Sequence, residues 1–244
     1  MGCCAIMGVV SISRCVDYEK EHVRKAVYQA INGIDSNRDR IARGSKVLVK
    51  TNLLMKKRPD EAVTTHPAVI EAIVRYLQEL DCKVIIGDSP GGPYTEWSLK
   101  SIYKASGMAD VAERTGCELN YDTSVIEISN PYAKKLKNMQ MIKIAKDVDY
   151  VISAAKMKTH GMMTYTGAVK NLFGVIPGLV KADYHLRMNS VDNFAEHLID
   201  ICEAVRPVFS IIDAVEGMEG NGPSAGIKRH VGLILASDNP YALD

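Results

Sequence analysis

The chain has 244 residues, 47% of them hydrophobic and 24% charged, which fits one large domain or two small ones and excludes disordered, collagen-like and coiled-coil classes. Lys plus Arg number 30 and Asp plus Glu 29, a net charge of +1, so no global field favours nucleic acid or an acidic membrane. Neither is expected as a partner, and no apolar stretch approaches the ~20 residues that span a bilayer.

The chain opens on a short apolar run without a leading positive charge, which reads as a first strand, Ala5 to Ser13, rather than a targeting signal. A helix is expected from Glu19 to Ile34, where Val23, Val27, Ala30, Ile31 and Ile34 recur three and four apart on one face. Strand Lys46 to Thr51 follows. A second helix begins at Pro67, whose ring suits a first helical turn, and leads into strand Lys83 to Asp88. A shorter helical region, interrupted by Gly107, lies between Pro90 and Gly116. Further strands are expected at Ser124 to Ile128, Met139 to Ala145 and Asp149 to Ala154. Ser190 is a favourable N-cap for a third strong helix that Pro207 ends, and strands Phe209 to Ala214 and Val231 to Ala236 complete the pattern.

Strands alternating with helices define an α/β protein. Several strands carry Val and Ile on both faces, as central parallel strands do, so the expected architecture is three-layer, with a mainly parallel or mixed sheet and helices on both faces. Residues 1–244 read as a single domain. The closing Ala-Ser-Asp-Asn-Pro-Tyr-Ala-Leu-Asp looks like a turn entering an incomplete helix, so the domain is expected to be a C-terminally truncated part of a longer protein.

Six cysteines, Cys3, Cys4, Cys15, Cys82, Cys117 and Cys202, contain no C-x-x-C pair, so neither a zinc knuckle nor a ferredoxin cluster motif is present. A reduced, cytoplasmic chain is the plain expectation.

The chemistry concentrates in Lys156 to Gly174, directly after the expected strand Asp149 to Ala154. From Lys156 to Ala182 there are four lysines, Lys156, Lys158, Lys170 and Lys181. Such a run at the carboxyl end of a strand lies where open α/β sheets place their ligands. Thr166 and Gly167 open a candidate helix carrying Lys170 and Asn171, whose free N–H groups would add to an anion site. The plainer alternative is a solvated basic face. The spacing of a Walker loop is absent.

Lys50 and Asn52 share one side of an extended strand end, suited to neutralising and orienting a ligand. His66 stands at a helix start, where it would be neutral and able to accept a proton, and Thr64 or Thr65 reads as local capping. Asp88 and Asp213 finish apolar strands and are followed by glycines, so each is a candidate ligand for a divalent metal, and Asp213 also a proton-handling group. A turn-capping role is the alternative. His160 and His185 complete the candidates, with His66, His160 and Asp213 in catalytic roles and Lys181 four residues before His185.

Together the segments Lys46–Asn52, Ala62–Pro67, Val84–Ser89, Lys156–His160, Thr166–Gly174 and Ile211–Pro223 resemble a family filed as domain of unknown function 362, in one order along essentially the whole chain. Members are often joined to a ferredoxin-type iron–sulfur module. The resemblance implies an iron–sulfur cluster outside this segment, a fused or separate ferredoxin-type partner, and an oxidoreductase or electron-transfer role acting on a small anionic molecule. Two other readings stand beside it: a metal-dependent phosphoryl or acyl transferase or hydrolase, and a non-catalytic ligand-binding module.

Overall fold

The computed structural model describes residues 8–34, 40–187 and 190–244. The main sheet is built around four parallel neighbours: β2 (Lys46–Lys50), β3 (Lys83–Gly87), β7 (Tyr150–His160) and β9 (Phe209–Glu219). A short β4 (Glu118–Leu119) extends the parallel side beyond β3. On the other side β10 (Ile227–Ser237) and β1 (Val10–Arg14) add antiparallel, giving the order β1-β10-β9-β7-β2-β3-β4. β8 (Thr164–Thr166) folds back on the end of β7. Residues 5–7 of the expected first strand lie outside the described residues.

Alternation along the central strands builds two cores. Val47, Val49, Val84, Ile86, Ile152 and Ala154 face one cluster, which includes the apolar stripes of α1 (Lys20–Asn32) and α2 (Pro67–Glu79). α3 (Glu96–Ala105) and α4 (Met108–Thr115) cover the same side. Leu48, Ile85 and Val151 face the other cluster, which includes Leu172, Phe173 and the inward residues Phe194, Leu198 and Ile201 of the later helix at Val191–Val205. The architecture is the expected three-layer α/β.

Three local expectations change. β5 (Val125–Ser129) and β6 (Asn138–Ile142) form a separate antiparallel ribbon, not strands of the main sheet. β5 buries no residue fully, so it fits a ribbon against the outer face better than a central position. β9 and β10 run longer than their apolar stretches. β7 continues through His160, so Lys156 and Lys158 lie on the strand itself rather than in a loop after it. Buried lysines disguised that strand extension as a polar loop.

Candidate functional site

A cleft of about 350 Å3 opens at the carboxyl ends of β2, β3 and β7. Lys50, Asn52, Asp88, Lys158, His160, Thr166, Lys170, Asn171 and Lys181 all line it. Lys50 ends β2, Asp88 follows β3, and Lys158 lies on β7. Lys170 and Asn171 come from α5 (Ala168–Asn171), and Lys181 from α6 (Val180–Arg187).

Four lysines thus share the cleft with one carboxylate, Asp88, whose Oδ1 is 2.7 Å from Lys50 Nζ. The other Asp88 oxygen accepts from the Leu53 N–H at 2.8 Å. Lys50 Nζ also donates to Thr51 O at 2.7 Å and Asn171 Oδ1 at 3.0 Å. Asn52 Nδ2 donates to that same Asn171 oxygen at 3.2 Å, so the two asparagines tie β2 to α5. Asn171 Nδ2 in turn donates to Lys50 O and Ser153 Oγ. Gly174 closes the floor, where any side chain would run into the Lys50–Asp88 pair.

The remaining lysines have no carboxylate within ion-pair distance among the described residues. Lys158 Nζ donates to Asn52 Oδ1 at 2.8 Å and Val63 O at 2.6 Å. Lys181 Nζ donates to Ser89 O and, at 3.5 Å, weakly to Pro90 O. Lys170 makes no hydrogen bond among the described residues, and its ammonium lies over the rings of Phe173 and Phe194, 5.6 and 5.5 Å from their centroids. Burial is the main cause that pulls all three down, Lys158 and Lys181 to about 7 and Lys170 to about 8. Neighbouring ammonium groups reinforce the effect: Lys156, Lys170 and Lys50 on Lys158, and Lys50 on Lys170.

The hydroxyls of Ser89 and Thr166 line the same cleft, are buried, and have no hydrogen-bond partner among the described residues. Orphaned buried donors beside uncompensated cations are a cradle for an anion. His160 borders the cleft with Nδ1 accepting from the Met162 and Met163 N–H groups, both at 3.1 Å, which leaves the proton of a neutral ring on Nε2.

The other expected site residues lie elsewhere. Lys156 and Asp213 are directly paired across β7 and β9, with Nζ 3.0 Å from Oδ2. That carboxylate also accepts from Tyr18 Oη at 2.9 Å and the His66 N–H at 2.9 Å. His66 stacks on Tyr18, ring centroids 3.6 Å apart, and caps α2 through Nδ1. Burial holds its imidazole down at about 4. His66 and Tyr18 face a second hollow of about 500 Å3, beside Arg58, Glu216 and Lys228. The candidate residues therefore fall in two places, with His160 and Asp88 at the lysine cleft and His66, Lys156 and Asp213 apart from it. The ladder between β7 and β9 loses register between Lys156 and Lys158, and these two lysines of equal strand parity have different partners.

The helix opened at Gly167 exists, but its first N–H groups are not open to a ligand. Ala168 and Val169 donate to the Asp244 carboxylate at 2.5 and 2.9 Å. The side chain of His185 lies outside the described residues. Asp88 follows β3 and Asp213 lies on β9, strands separated by β2 and β7, and each carboxylate is beside a buried lysine. No three His, Cys, Asp or Glu side chains converge among the described residues. The described cysteines do not fit a cluster, since Cys15 and Cys82 pack in one core and Cys202 in the other. Tyr18, Ser89, Gly174 and the carbonyl of Val63 were missed by sequence reasoning. Val63, Ser89 and Gly174 carried a signal, as members of the Ala62–Pro67, Val84–Ser89 and Thr166–Gly174 segments, and Tyr18 carried none.

Fold and cleft define a class: an α/β protein with a lysine-lined pocket at the carboxyl edge of a parallel sheet. The chain belongs to the family described as domain of unknown function 362 (DUF362), whose model matches residues 47–244. It is 32% identical over 240 residues to a Synechocystis sp. protein described as thylakoid-associated, covering 96% of this chain and 72% of that one. In fold it is similar to the lactate racemase apoprotein of Thermoanaerobacterium thermosaccharolyticum, with TM-score 0.57 and 14% identity over 98% of this chain. The chain spans only 56% of the racemase's length, and the likeness is one of fold. Among the described residues no helix is long and apolar enough to cross a membrane.

Proposed function

We propose that this chain binds a small, multiply charged anion in the lysine cleft and protonates it there as part of a reduction or related step. One observation carries the reading: among the described residues, Lys158, Lys170 and Lys181 converge without a carboxylate partner on a cleft whose buried Ser89 and Thr166 hydroxyls are also unmatched. Buried cations of one sign repel one another, and a bound anion removes that cost while using every unspent donor. Ammonium groups held at about 7 to 8 also suit proton transfer at neutral pH.

The oxidoreductase part rests on the family resemblance, with a fused or separate ferredoxin-type module as the source of electrons. In this chain Lys50 and Asp88 form the fixed floor, Lys170 and Lys181 grip the anion, and Asn52 and Asn171 hold the lysines apart in register.

Calorimetric titration with inorganic phosphate and with oxalate tests the binding. Saturable binding that is lost in Lys170→Ala supports the reading. Equal binding by the variant, or none by the native chain, overturns it. Saturable binding without turnover under a reduced ferredoxin would retain the anion site and replace the enzyme assignment by that of a ligand-binding module.

A further inference from the structure

The hydrogen-bond inventories of Lys50 and Lys158 assign them different chemistry. Lys50 Nζ donates to Thr51 O at 2.7 Å and Asn171 Oδ1 at 3.0 Å and is ion-paired with Asp88 Oδ1 at 2.7 Å. A carboxylate that close favours the ammonium form. Lys158 Nζ faces two acceptors, Asn52 Oδ1 and Val63 O, and no carboxylate within ion-pair distance among the described residues. A neutral amine has two N–H groups, so both acceptors remain satisfied when the proton leaves. The remaining tetrahedral direction then carries a lone pair on a nitrogen that borders the cleft. A lysine desolvated beside other cations is the environment that activates an amine as a nucleophile.

We propose that Lys158 forms an imine with a 2-oxo acid bound in the cleft, which rests on the anion-binding reading above and names its substrate class. Lys170 and Lys181 hold the carboxylate, and the neighbouring ketone carbon meets Lys158 Nζ. The lone pair of Nζ attacks that carbon, a C–N bond forms as the C=O π bond breaks, and one proton passes from nitrogen to the oxygen to give a neutral carbinolamine. Nitrogen then loses its proton, the hydroxyl takes one and leaves as water, and C=N remains. Amine plus ketone become imine plus water, with no electron gained or lost. An adjacent lysine ammonium supplies the proton to the leaving hydroxyl and recovers one from Nζ. Lys158 stands at about 7, so a large share is free amine at neutral pH. Burial pulls Lys50 down as well, but there the Asp88 carboxylate opposes the shift, a counter-charge at ion-pair distance that Lys158 lacks among the described residues.

The full chain is incubated with pyruvate, reduced with sodium borohydride, digested and mapped by mass spectrometry. The expected result is a reduced adduct on Lys158 in preference to exposed lysines such as Lys100, absent without borohydride and suppressed by oxalate, which has no ketone. Trapping is expected to be lost in Lys158→Met, with folding checked by circular dichroism. Because a buried substitution can unfold the chain, the decisive measurement is the native map. Oxalate binding with no adduct on Lys158 overturns the imine and leaves the anion site standing. Absence of oxalate binding overturns the underlying site, and an adduct spread evenly over exposed lysines overturns the assignment to Lys158.

Discussion

Lys170 lies over Phe173 and Phe194 without a hydrogen bond among the described residues, whereas Lys50, from the neighbouring wall, is held by two hydrogen-bond acceptors and the Asp88 carboxylate. The two cations differ in what they cost. Lys50 belongs to a matched polar floor, while Lys170 is a half-buried charge whose partners among the described residues are ring faces, and such a group is retained against stability when a ligand needs it.

Lys170→Met is therefore expected to stabilise the ligand-free protein by about 1–2 kcal/mol, since a thioether on two phenyl rings replaces a desolvated ammonium. Phosphate binding is expected to weaken in the same variant. Chemical denaturation and calorimetry on one preparation check both, and a variant that is less stable yet binds normally would refute the assignment.

The lysines make stability depend on pH. Lys158 and Lys181 at about 7 and Lys170 at about 8 all fall below the ordinary lysine value of 10.5. Between these values the unfolded chain binds more protons than the folded one, so stability rises with pH across that window. Below about 7 the full cost of burying charge is present. The melting temperature of the ligand-free protein is expected to climb from neutral into alkaline solution, while phosphate affinity falls over the same range. A flat melting profile would contradict the burial of these charges.

His66 acts on the acid side. Its imidazole is held at about 4 against 6.5 in the unfolded chain, so its contribution to stability is lost as pH falls from 6.5 through 4. His66→Asn keeps an acceptor for the Ala68 N–H and removes the titration. Its stability profile is expected to be flatter than the native one in that interval, measured by thermal melting at stepped pH.

Asp213→Asn leaves Lys156 buried without its counter-charge and weakens the acceptor for Tyr18. A loss of about 3–5 kcal/mol is expected in urea unfolding, the usual consequence of removing one partner of a buried pair. Because this pair lies outside the lysine cleft, phosphate affinity of the folded variant is expected to stay near native.

Gly174→Ala places a methyl group against Lys50 and Asp88. Overpacking of about 1–3 kcal/mol is expected, together with weaker phosphate binding as the floor shifts. Restored binding in an Ala variant of native stability would show that the floor tolerates the methyl group.

Much of the site was legible because chemistry and position coincided in the chain. Lys50 and Asn52 end an apolar strand, and Lys170 and Asn171 open a helix after Gly167, so the sequence already implied a shared edge. The reach of β7 was not legible. Lys156 and Lys158 are almost fully buried, and a polar residue in a strand looks like a loop until its partners are known. Val63 O and Asn52 Oδ1, which accept from Lys158, are 95 and 106 residues away in the chain.

By itself the sequence determined the layered α/β class, the extents of β2 and β3 and many of the residues that line the cleft, because hydrophobic period and residue chemistry are local properties. Tertiary structure decided the grouping. It placed Lys158 with Lys170 and Lys181 but matched Lys156 to Asp213, and it gave the α5 N-terminus to Asp244 rather than to a ligand. Ladder register and long-range acceptors make those choices, and neither is written in the spacing of residues along one segment.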